Sequence, residues 1–253
     1  MKMGRNVKDL LRRVPGLVAA RRFVMYWWPI ARHALCEDGE TMNDLSHLRR
    51  DWDFESPAEQ ERHELILSAV KRQYPDLPGA RVLELGCSDG VFSARLARRC
   101  GSVTACDISS VGLELAAKRC RSYNNMTFRK LDIARDVMPA RYDIVFAMDV
   151  LEFIHGRRHL QRVVRRLGDA VYPQGLLVIS DCRLPPVLRK AWWQSRLPEG
   201  GDAIVRLTAA DPTLRLLHSE FHPKLGVHFE GYAEHVVAMF RKVEPDQRTN
   251  GLA

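Results

Sequence analysis

The sequence predicts an α/β fold, a Rossmann-like doubly wound sheet between two layers of helices. Three observations carry this. From residue 57 onward, short β-type runs alternate with helical patterns of crossover size, as expected of βαβ units in a parallel sheet. The first strand of the series runs into a glycine-bearing turn, LELGCSDGVFS at Leu83–Ser93. Four successive strands then end in glycine or polar residues, and an open parallel sheet binds its ligands outside those carboxyl ends, at the switch point in strand order.

Taken in order, the pattern reads as a helix over Pro57–Gln73, a strand over Arg81–Leu85, a helix over Val91–Arg99, a strand over Ser102–Asp107 and a helix over Ser110–Arg121. Strands over Thr127–Leu131 and Tyr142–Met148 follow, then a helix over His159–Val171 and a strand over Gly175–Asp181. Beyond Asp181, Pro185, Pro186, Pro198 and the pair Gly200-Gly201 read as a connector around the basic, Trp-bearing piece LRKAWW. Two late β-type runs, Leu214–Phe221 and His235–Val243, lie near enough to pair antiparallel at a sheet edge. The chain divides into a basic amphipathic arm (1–45), the α/β domain (46–245) and a polar tail (246–253).

The formal charge of +8 is concentrated at one end. Residues 1–35 carry Lys2, Arg5, Lys8, Arg12, Arg13, Arg21, Arg22 and Arg32 against Asp9 alone, which leaves the rest of the chain almost neutral. A basic arm on a neutral body argues against a central chemistry that needs nucleic acid. The arm's apolar series, Val7, Leu10, Leu11, Val14, Leu17 and Val18, has helical spacing and suits packing on the domain or a protein, or peripheral contact with anionic lipid. No uncharged apolar run approaches the roughly 20 residues that cross a bilayer. The six cysteines show neither CxxC pairing nor regular spacing, so no metal site and no disulfide framework is expected, and a cytoplasmic setting is the default.

The turn after the first strand fits neither the dinucleotide nor the P-loop spacing. Gly86 and Gly90 let backbone approach a ligand without an intervening Cβ, and the helix starting near Val91 leaves N–H groups facing the same pocket. Asp107 lies 21 residues after Gly86, at a strand end, where an acidic side chain accepts both hydroxyls of a ribose. Leu131-Asp132-Ile133 offers a carboxylate beside an apolar side chain, suited to the amino group and flat face of a purine. Met148-Asp149-Val150-Leu151-Glu152-Phe153 brings two carboxylates and an aromatic to the fourth strand end. The ordered set points to a nucleoside-bearing cofactor.

These segments, VLELGCSDG, ACDIS, KLDI and YDIVFAMDVLEFI, resemble the class I S-adenosylmethionine-dependent methyltransferases. The resemblance implies a seven-stranded sheet with an antiparallel edge hairpin, and S-adenosylmethionine as cofactor, with S-adenosylhomocysteine as product. By the same resemblance Glu84, Gly86, Cys87, Ser88 and Gly90 would hold the methionine part, Asp107 and Ile108 the ribose, Asp132 and Ile133 the adenine, and Asp149 with Val150 would lie toward the transferred methyl. WDFESPAEQERH at Trp52–His63 is similar to a segment of the nodulation protein S family. LELGCSDGVF, MDVLEFI and GGDAIV resemble that family's L-E-V-G-C-A-A-G-A-F, A-E-V-L-Y-Y-L and G-A-E-T-V runs. This implies N-methylation of an amino-sugar acceptor; Glu152 and Phe153 replace the family's tyrosines.

Methyl transfer is an in-line displacement, so positioning supplies much of the catalysis. Asp149 and Glu152 are candidates for orienting or deprotonating the acceptor, and His155 for a general base at the mouth. Trp52, Phe54 and His63 are candidates for a lid over the cofactor, and Arg183, Trp192 and Trp193 for acceptor binding. The expected activity is methyl transfer to N or O of a small molecule, a saccharide or amino sugar being favoured. The alternatives are a catalytically silent cofactor-binding partner that docks through the arm and, behind it, a nucleic-acid methyltransferase, against which stands the absence of an N/D/S-P-P-aromatic run in AMDVLEF.

Overall fold

The computed structural model describes Asp44, His47 and residues 54–154, 156–182, 200–222 and 235–244. Helix α1 (Pro57–Gln73) starts at Ser56, whose Oγ accepts from the Glu59 N–H, and has Pro57 in its first turn, where a missing N–H costs nothing. Strand β1 (Arg81–Leu85) is followed by α2 (Val91–Ala97), β2 (Ser102–Asp107), α3 (Ser110–Arg119) and β3 (Met126–Lys130). The second half holds β4 (Tyr142–Met148), α4 (Arg157–Asp169), β5 (Val171–Cys182), α5 (Gly201–Ala209), β6 (Leu214–His222) and β7 (His235–Lys242).

The seven strands form one sheet in the order β3-β2-β1-β4-β5-β7-β6. β1 to β5 are parallel to one another, and β7 runs antiparallel between β5 and β6. The order reverses between β1 and β4, which sets the ligand crevice at their carboxyl ends, next to Gly86 and Asp149.

Side chains alternate across the central strands to feed two cores. Val82, Ile144, Phe146, Val178 and Met239 meet Ile66, Val70, Phe92 and Leu96 of α1 and α2. Leu83, Leu85, Val145, Leu177 and Phe240 meet Leu160, Val163, Leu167, Ile204 and Leu207 of α4 and α5 on the other face. Burial on both sides explains why YDIVFAM and GLLVIS read as continuous apolar runs.

Three sequence expectations need correcting. The connector from Pro185 contains α5 at its far end: Gly201, read as a breaker, packs so closely that a Cβ there would lie 2.4 Å from Val236 Cγ1 and 2.7 Å from the Asp181 carbonyl. Its glycine answers a packing demand rather than a turn. β5 begins at Val171, not Gly175, because Val171 pairs with Tyr142 before a register shift that resumes at Leu176. The helices α2, α3 and α4 stop at Ala97, Arg119 and Asp169, each two residues short of the expected end, and α4 begins at Arg157 rather than His159. No helix among the described residues is long and apolar enough to cross a membrane.

Candidate active site

One pole of the crevice is built from β1, β2 and the turns that follow them. Gly86, Ser88 and Gly90 all have positive φ (77°, 50° and 82°), so the chain coils tightly after Leu85. The Gly86 and Cys87 N–H groups both donate to the Cys106 carbonyl, at 2.9 and 3.0 Å. That closure aims the next amide at Asp107. Ser88 N–H donates to Asp107 Oδ2 and Ser109 N–H to Oδ1, each at 2.8 Å. Burial pushes the Asp107 carboxyl above its usual range, against the pull of these amides. Each oxygen keeps a second lone pair, so the group retains two acceptor positions.

The two glycines serve different ends. A Cβ on Gly86 would lie 3.2 Å from Val150 Cβ, so this residue lets the β1 and β4 turns touch. One on Gly90 would sit 2.8 Å from Ala116 Cα, so Gly90 admits α3 rather than a ligand. Beneath the turn, Ser93 Oγ donates to Glu84 Oε2 at 2.6 Å, and burial pushes the Glu84 carboxyl to about 8. Cys87 is buried, with its thiol pushed up by desolvation, in keeping with a small core side chain.

Residues from before the domain's first helix reach this pole. Asp44 Oδ1 accepts from Ser109 Oγ at 2.5 Å and from Val111 N–H at 3.2 Å at the start of α3. His47 Nδ1 lies 3.5 Å from Ser88 Oγ, and its ring fills the space above Gly112. Asp132 organises its own loop: Oδ1 accepts from Ala134 N–H at 2.8 Å, and its N–H donates to Asp136 Oδ2. Ile133 packs into the core beside Leu131 and Leu151. Ile108 and Val150 are half-buried.

The other pole is a charged cluster at the ends of β4, β5 and β7. Asp149 has φ 52° and donates its N–H to the Ser180 carbonyl at 2.6 Å. Arg62 Nη2 donates to Asp149 Oδ2 at 2.5 Å and to Glu59 Oε2 at 2.6 Å, while Nη1 donates to Ser180 Oγ at 2.8 Å. His235 Nε2 stands 3.2 Å from Asp149 Oδ1. Burial would raise the Asp149 carboxyl, but the Arg62 and His235 charges outweigh it and hold the group well below the usual range. Glu152 goes the other way: burial, reinforced by Asp149, pushes it to about 8. Its Oε2 accepts from Cys182 N–H at 3.2 Å. Asp181, fully buried, accepts from the Leu151 and Glu152 N–H groups and is raised by burial and by Glu152.

Gly86, Ser88, Asp107, Val150, Asp149 and Glu152 thus line one edge of the sheet. Asp132 has no recorded contact with them. Trp52, His155, Arg183, Trp192, Trp193 and residues 1–43 lie outside the described residues. His63 is 4 % exposed and packed on Phe92 at 4.8 Å, inside α1 rather than over the crevice. Burial and the Arg62 charge lower its imidazole to about 3. Sequence reasoning missed Arg62, Asp181, Cys182 and His235. For Arg62 a signal existed: Glu59, Arg62, His63, Ile66, Leu67 and Val70 form the buried stripe of α1, so charged residues occupy core positions.

Comparison with known proteins gives the family and the fold. The profile of the nodulation protein S (NodS) family matches residues 41–211. A nodulation protein S of Bradyrhizobium diazoefficiens is 25% identical over 133 residues, 52% of this chain and 62% of that protein. A mitochondrial ubiquinone biosynthesis O-methyltransferase of Schizosaccharomyces pombe is 30% identical over 120 residues, 46% of this chain and 42% of that protein. The match therefore spans less than two thirds of either relative. Among solved structures, the N-methyltransferase NodS from Bradyrhizobium japonicum WM9, in complex with S-adenosylhomocysteine, superposes with a TM-score of 0.66 at 20% identity, covering 80% of this chain and 99% of that one. The [4+2]-cyclase SpnF superposes at 0.58 with 18% identity, covering 76% and 85%. Likeness at this level speaks for the fold alone.

Proposed function

The chain belongs to the nodulation protein S family, and from that premise we propose that it is an S-adenosylmethionine-dependent methyltransferase acting on an N, or an O, of a small-molecule acceptor, with an amino sugar or other saccharide favoured. The observation that carries the cofactor is Asp107: a buried carboxylate at the end of β2, fixed by two amides from the turns on either side, with two acceptor positions left for a vicinal diol. The tight approach of Gly86 to Val150 fits the same group, since no Cβ intrudes between the β1 and β4 turns.

Gly86 and Ser88, in a turn that Glu84, Cys87 and Gly90 support from beneath, would then hold the methionine part, Asp107 and Ile108 the ribose, and Asp132 with Ile133 the adenine. When bound, the cofactor supplies an electrophilic methyl on a sulfonium. The protein's own contribution lies in two carboxyls driven apart in acidity, an arrangement that separates roles. Asp149, kept ionised with Arg62 on both of its oxygens, is held in place at the acceptor end and serves to position rather than to exchange protons. Glu152, raised to about 8, can take a proton from an acceptor ammonium near neutral pH, where a base of matched pKa works best.

Methyl transfer from labelled cofactor to a panel of amines, amino sugars and hydroxylated acceptors tests this reading. Turnover with an amine and a loss on the order of 100-fold in kcat for Glu152→Gln are expected. The rise of activity with pH through about 8, as Glu152 ionises, should disappear with that substitution. Cofactor binding without transfer to any acceptor would favour a silent binding partner, a reading that the cyclase on the same fold keeps open.

A further inference from the structure

We propose that Asp149, Cys182 and His235 form a binding site for a zinc-class divalent cation, at the acceptor end of the crevice. β5 and β7 are antiparallel, and their pairing puts Cys182 directly opposite His235. Cys182 Sγ is 3.2 Å from His235 Nε2, and Asp149 Oδ1 is 3.2 Å from the same nitrogen. All three donor atoms lie within 4.8 Å of one another.

The contacts meet on a single ring nitrogen. A thiol–imidazole–carboxylate relay uses both nitrogens of the ring, one for the thiol and one for the carboxylate. Here Nε2 faces both partners while Nδ1, also buried, has no hydrogen-bond partner among the described residues. One proton on Nε2 can point at only one of the two. A cation lying between the three atoms engages all of them at once.

The dimensions agree. Zinc bonds of about 2.0–2.3 Å to O, N and S, held near tetrahedral angles, separate the donors by roughly 3.3–3.7 Å. Small side-chain adjustments from the present spacings reach that range. A thiolate, an imidazole and a carboxylate form a donor set that selects zinc over magnesium or calcium. Three protein donors leave a fourth position for water or an acceptor heteroatom, as in zinc sites that do chemistry rather than hold folds together.

The surroundings support the same occupant. Arg62 grips the Asp149 carboxylate through both oxygens, Nη2 on Oδ2 and Nη1 at 3.1 Å from Oδ1, and so fixes its direction, while Glu59 at 2.6 Å balances the Arg62 charge. Glu152 and Asp181 add two further buried carboxyls beside Cys182, and Asp181 Oδ2 has no hydrogen-bond partner among the described residues. Cys87, Cys100, Cys106 and Cys120 are buried, whereas Cys182 is half-buried, within reach of an entering ion.

The full chain, freed of metal with a chelator, would be titrated with Zn²⁺ by calorimetry and with Co²⁺ by absorption, without methyl donor. One equivalent per chain is expected, with a thiolate-to-cobalt charge-transfer band and visible bands of tetrahedral intensity. Cys182→Ser should abolish the charge-transfer band, and both it and His235→Ala should weaken zinc binding by at least about tenfold. Zinc should raise the melting temperature of the parent chain and not that of Cys182→Ser, whose far-ultraviolet circular dichroism reports its fold. Absence of stoichiometric zinc binding by the parent chain would overturn the site. So would a folded Cys182→Ser that keeps both the band and the affinity.

Discussion

The two poles of the crevice are built by different means. The β1–β2 pole is made of backbone: three residues at positive φ, two amides on one carbonyl and two amides on one carboxylate, drawn from residues 86–109. The β4–β5–β7 pole is made of charge: Arg62, Asp149, Glu152, Asp181 and His235 come from α1, three strand ends and the turn after β4. A backbone site tolerates few changes of shape, and a buried charge site tolerates few changes of partner. The first suits a constant ligand and the second an acceptor that differs between relatives.

Breaking the charged pole should have the largest effect on stability. Arg62→Met leaves the Glu59 and Asp149 carboxyls without their cation, and the loss of one partner from a buried pair costs about 3–5 kcal/mol. Urea denaturation measures this, and Glu59→Met on the same background should recover part of it. Breaking the backbone pole by Gly90→Ala combines a left-handed non-glycine residue with a Cβ 2.8 Å from Ala116 Cα. The expected cost is about 2–4 kcal/mol, read from the same transition.

Glu84 sharpens the comparison through pH. Its carboxyl, raised from 4.5 to about 8 in the folded protein, binds its proton more tightly there than in the unfolded chain. The associated stability is complete below about 4.5 and is lost as pH rises through about 8. Glu84→Gln should flatten that decline when denaturation midpoints at about pH 5 are compared with those above about 8. The smallest effect belongs to neither pole: Ser56→Ala removes a 3.4 Å cap from α1 and should cost about 0.5 kcal/mol.

The poles also differ in how far the sequence discloses them. Gly86, Gly90 and Asp107 sit on two consecutive strands, so their spacing in the chain reflects their spacing in the fold, and the strands over Arg81–Leu85, Ser102–Asp107 and Tyr142–Met148 are read to the residue. Cys182 and His235 are 53 positions apart and meet only because β7 enters the sheet antiparallel beside β5. Neither residue belongs to a spaced motif. Arg62 lies within WDFESPAEQERH, and only its place as a charged residue on the buried stripe of α1 marks it out. Helix α5 was hidden by Gly200-Gly201, where close packing imitates a turn signal. Local hydrogen bonding leaves a record in sequence spacing, and topology does not.

The division of the crevice into a cofactor pole and an acceptor pole is tested most directly by titrating S-adenosylhomocysteine into the parent chain, Asp107→Ala and Glu152→Gln by calorimetry. The parent should bind one equivalent. Asp107→Ala, losing two hydrogen bonds to a charged acceptor, should bind on the order of a hundredfold or more weakly, while Glu152→Gln binds within a few fold of the parent. No binding by the parent chain, or equal binding by folded Asp107→Ala, would contradict the account.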